Sequence, residues 1–174
     1  MTVAELSRRK KAVLKWTLYS LLFFVAFIFQ TTVDLFRIFG VKPILILPII
    51  LFIAMMEGEW AGALVGVIGG LFWDVAADKL IGFNAIILLL LTVSAALLSM
   101  YLIRVNFWNS ILVVLASALI QGLIDFLFSY LIWGHEFTYV ILLRMILPTV
   151  AYTVLVSAPI FFLMRKIHRS FTED

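Results

Sequence analysis

Residues 62–79 read GALVGVIGGLFWDVAADK, an apolar run in which Gly62, Gly66, Gly70, Asp74 and Asp78 recur at every fourth position. That spacing sets all five along one gently drifting face of a helix. The glycines form a flat strip that a second helix backbone can approach closely. Two readings follow. The strip packs against a neighbouring span of the same chain, which is the favoured one, or it receives a helix from a partner.

The rest of the chain is of the same apolar character. Of its 174 residues 65% are hydrophobic and 13% charged, where a soluble domain carries roughly a quarter charged. Surface of that composition needs lipid as its covering solvent. Six apolar runs are long enough, or nearly so, to cross a hydrocarbon core of about 30 Å: 14–33, 41–56, 61–77, 81–103, 107–133 and 137–164. The expected fold is an all-α membrane protein, one six-transmembrane-helix bundle over 14–164, with a basic N-terminal tail at 1–13 and a C-terminal tail at 165–174. The second and third runs are short, so a tilted or partly re-entrant course is open to them.

The distribution of Lys and Arg sets the expected orientation. With the N-terminus inside, Arg8, Arg9, Lys10, Lys11, Lys15, Arg104, Arg165, Lys166 and Arg169 fall on the cytoplasmic side. Arg37, Lys42 and Lys79 fall outside, and Arg144 lies within a span. Nine against three puts both termini in the cytoplasm of a cell whose inner membrane the chain crosses. Glu57 and Glu59 are the discordant acidic residues on the inner side.

Ionisable groups within hydrocarbon cost at least about 2.5 kcal/mol each on insertion scales, so each needs a reason. Ser117, Gln121, Asp125 and Ser129 form a polar ridge on the fifth span, expected to face the bundle interior or a protein partner. Arg144 on the sixth span lies about 10 Å below the outer surface by helical rise, at a depth like that of Asp125. An Asp125–Arg144 ion pair is one expectation; snorkelling of Arg144 to the interface is the other. Asp74, Asp78, Asp125, His135, Glu136 and Arg144 all gather toward the outer side. In the sixth span Arg144, Pro148 and Tyr152 share a face, and Pro148 and Pro159 predict kinks.

Several chemistries lack their residues. There is no cysteine, and so no disulfide, thiolate metal site or thiol nucleophile. His135 and His168 are too far apart in sequence to suggest a metal site. No GxxxxGK[ST], HExxH or GxSxG motif occurs, and GGLFWD at 69–74 is not the GxGD of intramembrane aspartyl proteases. The expectation is a protein that is not an enzyme, with no cofactor and no nucleic-acid partner.

Two stretches, GLFWDVAADKLIGFNAIILLL at 70–90 and LLRMILPTVAYTVLVSAPIFFLMRKI at 142–167, resemble the MreD family of rod shape determinants. Gly66, Gly70, Asp74 and Gly82 stand at that family's glycine-rich helix, its Asp and its following loop glycine. Leu147-Pro148, Tyr152 and Arg165-Lys166 match its closing pattern, with Thr153 where family members often have Asn. The resemblance implies a membrane scaffold of the bacterial elongation complex, tying the cytoskeleton to lateral peptidoglycan synthesis. Its implied partners are MreC foremost, then MreB, RodA and a class B penicillin-binding protein, within membrane lipid. On that view the glycine strip and the outer polar cluster become docking surfaces. A rival class is the substrate-capture subunit of an energy-coupling-factor vitamin transporter, whose six-span topology is the same. Gln121, Asp125 and Arg144 would then line a solute pocket.

Overall fold

The computed structural model describes residues 3–32, 41–77, 80–128 and 142–172. Asp78, His135, Glu136 and Ser129 lie outside them. Among the described residues six α-helices form along the apolar runs: α1 (Val3–Thr32), α2 (Ile46–Glu57), α3 (Glu59–Ala76), α4 (Phe83–Tyr101), α5 (Phe107–Phe126) and α6 (Leu147–Thr172). Five of these are long and apolar enough to cross a membrane. A multi-pass, all-helical membrane protein is therefore the fold.

The exception is α2. Its 12 residues rise about 18 Å, short of a full crossing, and Ile46 through Met55 are all buried. It packs against each of the other five helices, as a central post rather than a lipid-facing span. The chain ahead of it, Val41 to Leu45, is not helical, although the apolar run predicts a span from 41. Irregular backbone at membrane depth is tolerated only where protein satisfies its polar groups. Here Thr153 Oγ1 accepts from the Ile44 amide at 2.9 Å, and Gln30 Oε1 accepts from the Leu45 and Ile46 amides at 2.8 and 3.1 Å.

One residue, Gly58, joins α2 to α3, at φ 94°. A side chain is strained in that region, so glycine permits the reversal. The tightest packing in the bundle is between α3 and α4, and the glycine strip makes it. A Cβ on Gly70 would run into the Cα and amide nitrogen of Ala85, and one on Gly66 into Thr92 Oγ1 and, at 2.9 Å, the Leu88 carbonyl. Gly62 faces Ala54 on α2 and the Thr92 carbonyl. Every member of the strip is covered by the chain's own α2 and α4. The partner-helix reading of Gly62, Gly66 and Gly70 is corrected accordingly: their face is interior because the following helix occupies it.

On the other side of α3, Phe72 meets Phe23, Phe24 and Phe27 of α1 at ring-centroid separations of 5.8, 5.6 and 5.4 Å. At the start of the last helix, residues Leu142–Ile146 form a π-helical turn. Pro148 follows it and has no N–H to offer the Arg144 carbonyl, which removes one α-helical bond at that junction. Pro159 sits inside α6. The helix runs on to Thr172, so the basic residues 165–169 extend it rather than begin a tail.

The packing predicts a contrast between neighbouring glycines. Gly70→Ala meets backbone that cannot move aside and is expected to cost about 1–3 kcal/mol. Gly69→Ala meets only side chains, Ile50 at 3.2 Å and Phe23 at 3.5 Å, and should cost much less. Thermal unfolding of the two purified variants in detergent checks this.

Candidate functional site: the polar ends of the bundle

Eighteen residues of α3 separate its ends by about 27 Å, and a carboxylate stands at each: Asp74 on α3 itself, and the half-buried Glu57, the last residue of α2. At one end Asp74 is wholly buried. Because Gly70, one turn earlier, lets α3 lie against the α4 backbone, Asp74 reaches beneath the start of α4. Its Oδ2 accepts from the Gly82 amide at 2.8 Å and its Oδ1 from the Asn84 amide at 2.9 Å, with Ala85 N at 3.5 Å from Oδ2. A helix N-terminus leaves its first amides unpaired and carries partial positive charge. Gly82, in the N-cap position at φ 100°, has no side chain to cap with, and Asp74 does so from the neighbouring helix.

Asn84 carries the network inward. Its Oδ1 accepts from Gln121 Nε2 at 2.6 Å, tying α4 to α5. Asn84 Nδ2 and Gln121 Oε1 have no partner among the described residues, although both are buried. The ridge on α5 does face inward at Ser117 and Gln121, while Asp125 is half-buried. Gln121 and Asp125 line a cavity of about 170 Å³ with Trp73, Ile146 and Thr149. Arg144, by contrast, is exposed on the π-helical turn. Among the described residues no ion pair joins it to Asp125. Tyr152 is half-buried, and the buried Thr153 beside it holds Ile44.

The opposite end was not singled out by the sequence pattern. Glu57 Oε2 takes the Lys15 ammonium at 2.7 Å, and Oε1 takes the Tyr19 hydroxyl and His168 Nδ1, both at 2.9 Å. Lys15 and Tyr19 are one turn apart on α1, and His168 is near the end of α6. Three helices thus meet on one carboxylate at the α2–α3 turn. Burial pushes the Glu57 carboxyl up, but the hydrogen bonds from Lys15, His168 and Tyr19 and the charge of Lys15 outweigh it, holding it below the usual carboxylate range. The signal that could have found this site was there: an acidic residue on an otherwise basic side, where neutralisation by Lys15 resolves the discord. Helices α1 and α6 thus both reach Glu57, through Lys15 and Tyr19 on the one and His168 on the other.

Among the described residues no group of three His, Cys, Asp or Glu side chains could hold a metal. The 170 Å³ cavity is below the roughly 300 Å³ at which small-molecule pockets begin, and Arg144 is not part of it. Nothing here supports the vitamin-capture reading. Fold and polar ends together define a multi-pass membrane protein whose buried charges hold its own helices to one another.

Over residues 10–171 the sequence matches the model of the MreD family, described as rod shape-determining protein MreD, and the chain belongs to that family. No curated protein and no solved structure matches it. Family membership implies a part in rod-shape determination.

Asp74→Ala leaves two short backbone hydrogen bonds unmade at a buried helix start and is expected to cost about 3 kcal/mol or more. Asp74→Asn, which keeps one acceptor, should recover part of that; the unfolding midpoint of each purified variant reads it. For Glu57 the sign is that of a depressed carboxylate. Its stabilisation is complete above the unfolded value of about 4.3 and is lost as pH falls through the lower folded value. Unfolding midpoints scanned from pH 7 to pH 3 should fall steeply only at the acid end, with a shallower fall in Glu57→Gln.

Proposed function

We propose that this protein is a non-enzymatic scaffold of the bacterial elongation complex, coupling MreB filaments to lateral peptidoglycan synthesis through MreC, RodA and a class B penicillin-binding protein. The observation that carries the reading is the family match across almost the whole chain. The structure is in keeping with it, since its buried polar groups are spent on holding helices together. Asp74 caps α4, Gln30 caps α2, and Glu57 joins α1, α2 and α6. In the same proposal the chain lies in the inner membrane with both termini cytoplasmic. Supporting that orientation, Arg9, Lys10, Arg104, Lys166 and Arg169 are exposed at the Glu57 end. Trp60, Tyr101 and Trp108 stand out at the same end, 85%, 75% and 76% exposed, as interfacial aromatics do.

With the glycine strip closed by α4, partner contacts fall to the lipid-facing helix surfaces. The best candidate is α1, whose apolar span is only 17% buried. MreC is the first expected partner, through its own membrane span.

Affinity purification of the tagged chain from its native membrane in mild detergent tests the proposal. MreC should co-purify, with RodA or the penicillin-binding protein, and depletion should round the cells. Recovery of a transporter module with its ATPases, in cells that keep their rod shape, would overturn it.

A further inference from the structure

The last turns of α6 carry Arg165, Lys166 and Arg169, and with Phe162 and Ser170 these line one open recess. The recess has a fixed floor. Phe107, the first residue of α5, stacks on Phe162 with centroids 5.3 Å apart and planes 19° apart, and meets Phe161 edge-on at 5.7 Å. The Arg165 guanidinium lies 5.9 Å from the Phe161 ring centroid. These contacts seat the basic end of α6 beside the beginning of α5. There Trp108 and, one turn further along, Leu112 are exposed. Among the described residues no carboxylate pairs with Arg165 or Lys166.

The geometry points to a binding site for the headgroup of an anionic phospholipid, and it rests on the membrane placement of the helices proposed above. Three cations within five positions converge on one recess, at the level where Trp108 marks the interface. One turn closer to the bundle centre, the exposed Phe162 ring in the same recess offers apolar surface for acyl chains. A phosphodiester would sit against Arg165 and Lys166 while its chains run along that face. A zwitterionic headgroup brings its own ammonium into the same recess and loses the net attraction. Each basic residue near an anionic surface is worth about five-fold in affinity.

The test uses the full chain reconstituted in nanodiscs of phosphatidylcholine, with and without phosphatidylglycerol, and native mass spectrometry of the lipids retained. The wild-type protein should retain phosphatidylglycerol in preference. Arg165→Gln/Lys166→Gln should weaken that preference about 25-fold, two such steps. Arg9→Gln/Lys10→Gln removes the same charge on α1 and should leave the preference largely intact. An equal loss in both variants means diffuse attraction and overturns the site, as does a wild type with no preference, a result that needs no variant to fold. If inorganic phosphate raises the melting temperature in phosphatidylcholine as much as phosphatidylglycerol does, the site takes a soluble anion and the lipid assignment fails. Failure to reconstitute at all would instead count against the membrane placement.

Discussion

A backbone amide buried in a bilayer finds no water, and the two places where this chain most needs help are the starts of α2 and α4. Both helices begin after the chain has turned back on itself, and neither begins with a residue able to cap it. Leu45 and Gly82 occupy the N-cap positions. The same remedy is used twice: the helix just before the turn sends back a side chain. Gln30 from α1 holds the Leu45 and Ile46 amides, and Asp74 from α3 holds Gly82 and Asn84. The carboxylate is the stronger of the two, because its charge also meets the positive end of the helix it caps. It works only while α3 and α4 lie almost in backbone contact, which is what Gly66 and Gly70 allow. Remove the close approach and the cap is out of reach; remove the cap and a buried helix start is unsatisfied.

The Glu57 end solves a different problem. Helix α1 is the least embedded of the long helices, held at mid-length by rings around Phe72 and near its far end by Gln30. Lys15 and Tyr19 fix its other end to a carboxylate that also binds His168 on α6. The first and last helices, remote in sequence, are thereby tied to the turn between α2 and α3. A buried ion pair is weak evidence for net stability, yet it fixes which helices meet and in what register.

The broad architecture was legible because lipid imposes a coarse rule, apolar length, that any sequence must show. The four-residue spacing marked one face of α3, on which Gly62, Gly66, Gly70 and Asp74 are buried. Partner identity along that face was not legible, since a helix from the same chain and one from another present the same backbone. The second span was mistaken in extent because Val41, Ile44 and Leu45 continue the apolar run, although Lys42 and Pro43 interrupt it; the Gln30 and Thr153 bonds hold this stretch in a form that is not helical. Asp125 and Arg144 share a depth by counting. Depth is not azimuth, however, and the π-helical turn with Pro148 spoils the 3.6-residue bookkeeping on which a facing pair depends. Glu57 stood out only as a discordant charge and not as a site, because topology rules give acidic residues little weight.

The central position of α2 bears on how the protein is made. A twelve-residue segment with no lipid-facing side gains little by entering the bilayer alone. Its one-residue link at Gly58 makes it travel with α3 as a hairpin. Its burial is finished by α6, which is made after the five helices before it. The core of this protein is thus an early segment that waits for a late one, and a nascent chain truncated before α6 would hold its most apolar helix in an unfinished slot.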